Sequence, residues 1–200
     1  MCKVIDFYYE FSSPYGYLAA MKVEEIASKH KVDIHWKPFL LGAVFKQVGT
    51  KPLLDYPVKG EYSLKDMYRT ARFYNIPFEM PKSFPFMAVN ACRLIIWAAG
   101  DDHEKRAELS KAIYKACYED GRVISDKEVL LDIAEEYGYT RDEAEVGISS
   151  DQIKAKLKQE VEEGVKAQVF GSPFFVVDGE AFWGLDRLDH LDQWLETGGW

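Results

Sequence analysis

The chain has 200 residues and a formal charge of −8, from 25 Lys plus Arg against 33 Asp plus Glu. Hydrophobic residues make up 48% and charged residues 29%, a composition that excludes a disordered chain or a disulfide scaffold. The acidic excess repels phosphate backbones and anionic lipid, so neither nucleic acid nor a membrane is expected as a partner.

The opening residues 1–10 carry acids within an apolar run and no small-residue cleavage site, which reads as a first strand over residues 3–9 and not as a leader or a span. Cysteines at positions 2, 92 and 117 form no Cys-x-x-Cys and no metal-ligand spacing. They read as reduced thiols of a cytoplasmic protein. Ser13 followed by Pro14 is a helix start, because proline lacks only an amide that would be unpaired there. Tyr15, Leu18, Ala19, Val23, Ile26 and Ala27 recur at three and four, predicting one helix to about residue 30. Residues 32–38 alternate as a second strand, completing a βαβ unit with parallel strands and a right-handed crossover.

Residues 42–85 are rich in Gly and Pro and hold one helical pattern near 63–74; a long connection of this kind is expected to be a functional cover or an insertion. The next eighty residues read as almost wholly helical. Ser125 with Glu128, Thr140 with Glu143, and Ser149 with Gln152 have the spacing of capping boxes, and the charge run at 154–163 reads as a solvated face. Residues 174–177 and 180–183 flank an Asp178-Gly179 hairpin signal, and Asp186 is placed to cap a last helix with Leu188, Leu191 and Leu195 inward. The sum is one α/β domain over residues 1–200, ordered βαβ then ββα, with a helical insertion over 61–168.

This topology brings three segments to one end of the sheet: the turn at Ser13, the Ser172-Pro173 bond, and the turn from Gly184 to Asp186. Helix starts there offer amides and positive dipole to an anion. Taken alone, Ser13 reads equally as a plain cap worth about 1 kcal/mol, and Ser172-Pro173 as an ordinary trans turn.

Four segments in order carry a resemblance: Asp6-Phe7-Tyr8 through Ser12-Ser13-Pro14-Tyr15-Gly16-Tyr17-Leu18; Pro38-Phe39-Leu40-Leu41-Gly42 through Lys46 and Gly49; Phe170-Gly171-Ser172-Pro173-Phe174-Phe175-Val176; and Phe182-Trp183-Gly184-Leu185-Asp186-Arg187-Leu188. Together they resemble the 2-hydroxychromene-2-carboxylate isomerases, relatives of kappa-class glutathione transferases with a thioredoxin-like fold of the disulfide oxidoreductase A type. Ser13-Pro14-Tyr15-Gly16 stands where a thioredoxin-type oxidoreductase carries Cys-x-x-Cys, so disulfide chemistry is lost.

The resemblance implies glutathione as cofactor, bound by Ser13, Thr50, Ser172, Pro173, Trp183, Gly184, Leu185 and Asp186. Ser13 is the catalytic residue, holding the sulfur as its thiolate; Ser172-Pro173, with a cis bond, pairs with the cysteinyl part, and the Trp183 to Asp186 turn holds the γ-glutamyl end. Lys46, Tyr15 and Phe84 are the substrate residues, the first against a carboxylate and the other two against an aromatic ring. Thr50 stands where asparagine is common, and Leu185 where a smaller polar residue is frequent. The implied activity is reversible interconversion of 2-hydroxychromene-2-carboxylate and trans-o-hydroxybenzylidenepyruvate in naphthalene-type catabolism, by a homodimer that holds no metal. A glutathione transferase acting on small electrophiles is the alternative, and a glutathione or peptide binder without turnover the third.

Overall fold

β1 (Val4–Tyr9) is the strand around which the molecule is built, with Ile5, Phe7 and Tyr9 wholly buried. The computed structural model describes residues 3–200, with only the backbone of Lys46 and Gln47. Cys2 and the Lys46 side chain therefore lie outside the described residues. β1 pairs in parallel with β2 (Asp33–Pro38), from Val4 opposite Asp33 to Tyr9 opposite Pro38. On its other side it runs antiparallel to β3 (Phe174–Val177), which forms a hairpin with β4 (Glu180–Trp183), so the strand order is β2-β1-β3-β4. Asp178 and Gly179 both have positive φ, 52° and 85°, as a two-residue hairpin turn matching the strand twist requires. Phe7 packs on Trp36 at 4.9 Å and on Phe175 at 5.0 Å, so aromatic rings fill the space over the sheet.

The helix predicted to run from Pro14 to residue 30 is two helices, α1 (Pro14–Ala20) and α2 (Val23–His30). The chain tightens between them, with Lys22 N–H bonding to Ala19 O. The break lets α1 bury nearly every side chain, while α2 redirects to bury Val23 and Ala27. After β2 come a 3-10 turn Leu41–Ala43, α3 (Phe45–Val48), a second turn Leu53–Asp55 and α4 (Lys59–Tyr74). The helical block continues with α5 (Val89–Ala99), α6 (His103–Tyr118), α7 (Lys127–Glu136), α8 (Arg141–Ser149) and α9 (Asp151–Lys166), and α10 (Leu188–Thr197) closes the chain.

Caps correct the sequence reading by one residue in two places. Thr140 and Glu143 do form a reciprocal capping box. Asp126 rather than Ser125 caps α7, accepting from Glu128 N–H at 3.0 Å. Ser149 is the last residue of α8, so Ser150, in an extended conformation, ends α8 and caps α9. Asp186 caps nothing: a 3-10 turn Leu185–Arg187 precedes α10, and the Asp186 carboxylate pairs with Arg187 at 3.1 Å. Leu188, Leu191 and Leu195 face inward as expected.

The 154–163 stretch is not simply a solvated face. Arg106 of α6, 2% exposed, makes a bidentate pair with Glu160 at 2.7 and 3.0 Å and donates to the carbonyls of Gly100 (2.6 Å) and Trp36 (3.1 Å). One guanidinium thus ties α5, α6 and α9 to β2. Among the described residues no helix is long and apolar enough to cross a membrane. Arg106→Met should lower stability by about 3 kcal/mol or more, because it strands a shielded carboxylate and two carbonyls; urea unfolding of the variant against the parent chain measures it.

Candidate active site

β1 stops pairing at Tyr9, and the next residues turn sharply into α1. Phe39 N–H caps the Tyr9 carbonyl at 2.7 Å, and Ser13 N–H returns to the Glu10 carbonyl at 2.9 Å. α6 secures this turn from below: Tyr114 OH donates to Glu10 O at 2.9 Å and Tyr118 OH to Phe11 O at 3.0 Å. Gly16 has to be a glycine here, since a Cβ would lie 2.8 Å from both Ser172 Oγ and Tyr114 OH.

Two hydrogen bonds join this turn to the start of β3. Ser13 Oγ–H donates to Ser172 O at 2.8 Å, and Glu10 N–H donates to Ser172 Oγ at 2.9 Å. Ser13 Oγ also accepts from Gly16 N–H at 3.0 Å, the cap foreseen in the sequence. The Ser172-Pro173 bond is cis, as is Phe84-Pro85. Gly184 N–H bonds to Pro173 O at 3.0 Å, so the third segment is attached directly to the second. Among the described residues nothing bonds to Ser172 N–H.

A cleft of about 1600 Å³ opens over these segments. Ser13, Tyr15, Thr50, Phe84, Ser172, Pro173, Trp183, Gly184, Leu185 and Asp186 all line it. Ser13, Ser172, Pro173 and Gly184 are linked by direct bonds; the others stand around them. Thr50 Oγ1 is 3.1 Å from Tyr56 OH, and Tyr15 OH donates to Asp66 Oδ2 at 2.7 Å. Burial, reinforced by that carboxylate, pushes the Tyr15 hydroxyl above its usual range, so it stays a donor. Leu185 is buried in the core, and Trp183 packs across Gly171 against Phe170. Lys46 belongs to α3, whose Phe45 and Val48 line the cleft, and its side chain lies outside the described residues.

Glu10 lines the same cleft, is 5% exposed, and was missed in the sequence. Its signal was an acid in an otherwise aromatic run, three residues before Ser13. Leu41 N–H donates to its Oε2 at 2.6 Å. Burial pushes the carboxyl up to about 7, against the Leu41 and Ser12 bonds that oppose the rise. The two described cysteines, Cys92 and Cys117, are buried, and desolvation pushes Cys117 up to about 12 and Cys92 well above its usual value, so neither is a thiolate. None of the four histidines lines the cleft.

The fold and the site define a thioredoxin-type domain with Ser13-Pro14-Tyr15-Gly16 at the start of α1 and no Cys-x-x-Cys in the sequence. Residues 4–196 match the DSBA-like thioredoxin domain family, and the chain belongs to it. It is 29% identical over 197 residues to the 2-hydroxychromene-2-carboxylate isomerase of Sphingobium xenophagum, covering 98% of this chain and 99% of that one. It is 27% identical to glutathione S-transferase kappa 1 of Caenorhabditis elegans, covering 94% of this chain and 88% of that one. A solved 2-hydroxychromene-2-carboxylate isomerase superposes with a TM-score of 0.87 over 96% of this chain and 94% of that one at 24% identity, which is likeness of fold.

Glu10 carries a pH signature. A carboxyl raised from 4.5 to about 7 by folding stabilises the native state fully below pH 4.5, and that contribution is lost as pH rises through 7. The parent chain should therefore lose on the order of 3 kcal/mol across this window relative to Glu10→Gln, as read by urea unfolding of both proteins at the two ends of it.

Proposed function

We propose that this protein is a glutathione-dependent isomerase interconverting 2-hydroxychromene-2-carboxylate and trans-o-hydroxybenzylidenepyruvate. The observation that carries the reading is Ser13, bonded to the carbonyl ahead of the cis Pro173, standing in place of a redox cysteine at the floor of a large cleft. Relatives named for this isomerase and for glutathione transferase kappa, matched along nearly the whole chain, support it.

The residues fit glutathione. The Ser172 N–H, unpaired among the described residues, suits an extended peptide laid against the strand end. Asp186, exposed and beside Gly184, suits an ammonium; the buried Leu185 leaves only backbone for contact. At about 1600 Å³ the cleft exceeds the roughly 300–1,000 Å³ of an ordinary small-molecule site, leaving room for a second molecule. When bound, glutathione would supply a thiol nucleophile for reversible addition to the substrate alkene.

The chain's own part is to hold charge and orientation. Ser13 rotates its hydroxyl from Ser172 O toward the sulfur and stabilises the anion by donation. No histidine lines the cleft to activate Ser13, which fits a donor and not a covalent nucleophile. Lys46 orients the substrate carboxylate, Tyr15 and Phe84 flank the ring, and Thr50 contacts glutathione. The apolar side chains Val48, Phe73 and Met87 around the cleft favour conjugation of a neutral electrophile as the second reading.

Ser13→Ala should keep glutathione bound, raise the thiol pKa and cut turnover by about tenfold, the worth of one charged hydrogen bond; mass spectrometry showing a substrate adduct on Ser13 would overturn the donor role. Lys46→Ala should weaken use of the carboxylate substrate by about tenfold and leave conjugation of a neutral chlorinated aromatic unchanged. Equal losses on both, in steady-state assays with glutathione fixed, would assign Lys46 to glutathione instead.

A further inference from the structure

Forming a thiolate in this cleft leaves a proton to be placed. The usual acceptor types are missing from its floor: no histidine lines the cleft, and both described cysteines are buried away as thiols. Three acids line the cleft, Glu10, Asp66 and Asp186; Asp66 is engaged by Tyr15 and Arg69 and Asp186 by Arg187, which leaves Glu10 as the one with no cation among the described residues. Glu10 follows directly on β1, three residues before Ser13, with its backbone fixed at both ends. Its N–H is held by Ser172 Oγ and its carbonyl by Ser13 N–H and Tyr114 OH. The Glu10 backbone is thus bonded to Ser13 and Ser172, the two residues that frame the sulfur position, while Glu10 lines the cleft and its carboxylate accepts from Leu41 N–H at 2.6 Å.

We propose that Glu10 is the proton acceptor for the glutathione thiol, so that carboxyl and sulfur share a single negative charge. The inference rests on the glutathione reading above and deepens it. In the step, the S–H bond breaks, its electron pair stays on sulfur, and the proton forms an O–H bond on the Glu10 carboxylate. Charge moves between two groups of the site and none is gained or lost.

Adjacent like charges in a shielded site cannot both ionise freely, so a thiolate there draws a proton onto the neighbouring carboxylate. No described cation stands beside Glu10 to hold it ionised against that pull. It makes no ion pair among the described residues, and its titratable neighbours are the Cys92 thiol of α5 and the Tyr114 and Tyr118 hydroxyls of α6. Burial keeps all three neutral. The opposing contacts are hydrogen bonds from Leu41 and Ser12, and its own carboxyl titrates close to neutrality. Such a group is matched to take a proton from a thiol and give it back near pH 7.

The test counts protons. Glutathione is titrated into the parent protein by calorimetry in buffers of different ionisation enthalpy at about pH 8, with thiolate followed by its ultraviolet absorbance. Thiolate should appear with far less than one proton released per thiolate formed. At about pH 5.5, where Glu10 is already protonated, each thiolate formed should release about one proton. Glu10→Gln keeps an acceptor for Leu41 N–H while removing the charge. It should release about one proton per thiolate at both pH values and hold about tenfold more thiolate at a given pH. Full proton release from the parent protein at pH 8, with binding intact, overturns the role of Glu10 alone. Absence of any binding heat or thermal stabilisation by glutathione overturns both this and the reading beneath it. The parent protein's own proton count decides between these outcomes even if Glu10→Gln does not fold.

Discussion

Two carbonyls at the end of β1 set the geometry of everything above them. After Tyr9 the chain leaves the sheet inside the molecule, where an unpaired carbonyl costs roughly 1–3 kcal/mol. Glu10 O and Phe11 O are both met by tyrosine hydroxyls of α6, at 2.9 and 3.0 Å. The inserted helices are therefore not only a cover. α6 supplies the groups that make the β1–α1 turn possible, and Arg106 on the same helix ties it to β2, α5 and α9. Disturbing the helical block should be felt at Ser13, although no α6 residue lines the cleft.

That turn also explains the coupling among the three site segments. Ser172 accepts at both its oxygens, from Glu10 N–H and from Ser13 Oγ–H, so its side chain and its carbonyl each hold one side of the turn. Glycine at position 16 leaves space for that pair and for Tyr114. A Cβ there would crowd the serines and the tyrosine together, a cost of overpacking that side-chain rotation cannot relieve when three elements meet. Trp183 lies across Gly171 by the same logic of close approach, which brings β4 and the segment before β3 to one wall.

The electrostatics of the floor are unusual for a chain of net charge −8. A carboxyl is buried at the site with hydrogen bonds and no described cation, and the cost appears as its raised pKa. Asp66, by contrast, is held below the usual carboxylate range, against its own desolvation, by Tyr15 and Arg69. Of the acids lining the cleft, Glu10 therefore titrates near neutrality while Asp66 stays ionised. Such a separation is what distinguishes a proton-handling group from a structural one in a shared site.

Much of this was legible in the chain. The β-branched and aromatic runs at 3–9 and 174–177, the alternation at 32–38, the Asp178-Gly179 turn, the Ser13-Pro14 start and the Thr140/Glu143 box are local patterns, and local sterics and capping decide them without reference to the rest of the fold. The placing of Ser13, Ser172 and Gly184 at one end of the sheet followed from strand order. What local pattern missed was decided by contacts far apart in sequence. The break after Ala20 exists because α1 and α2 bury against different partners, and Ser150 replaces Ser149 because two helices abut there. Glu160 looked solvated until α6 brought Arg106 to it, 54 residues away. Glu10 read as one acid in an aromatic strand, since desolvation is a property of the packed site and not of its neighbours in sequence. The sequence by itself determined most of the elements and the serine that starts α1; only the tertiary structure decided which charges are buried, because burial is set by what packs against a side chain from elsewhere in the chain.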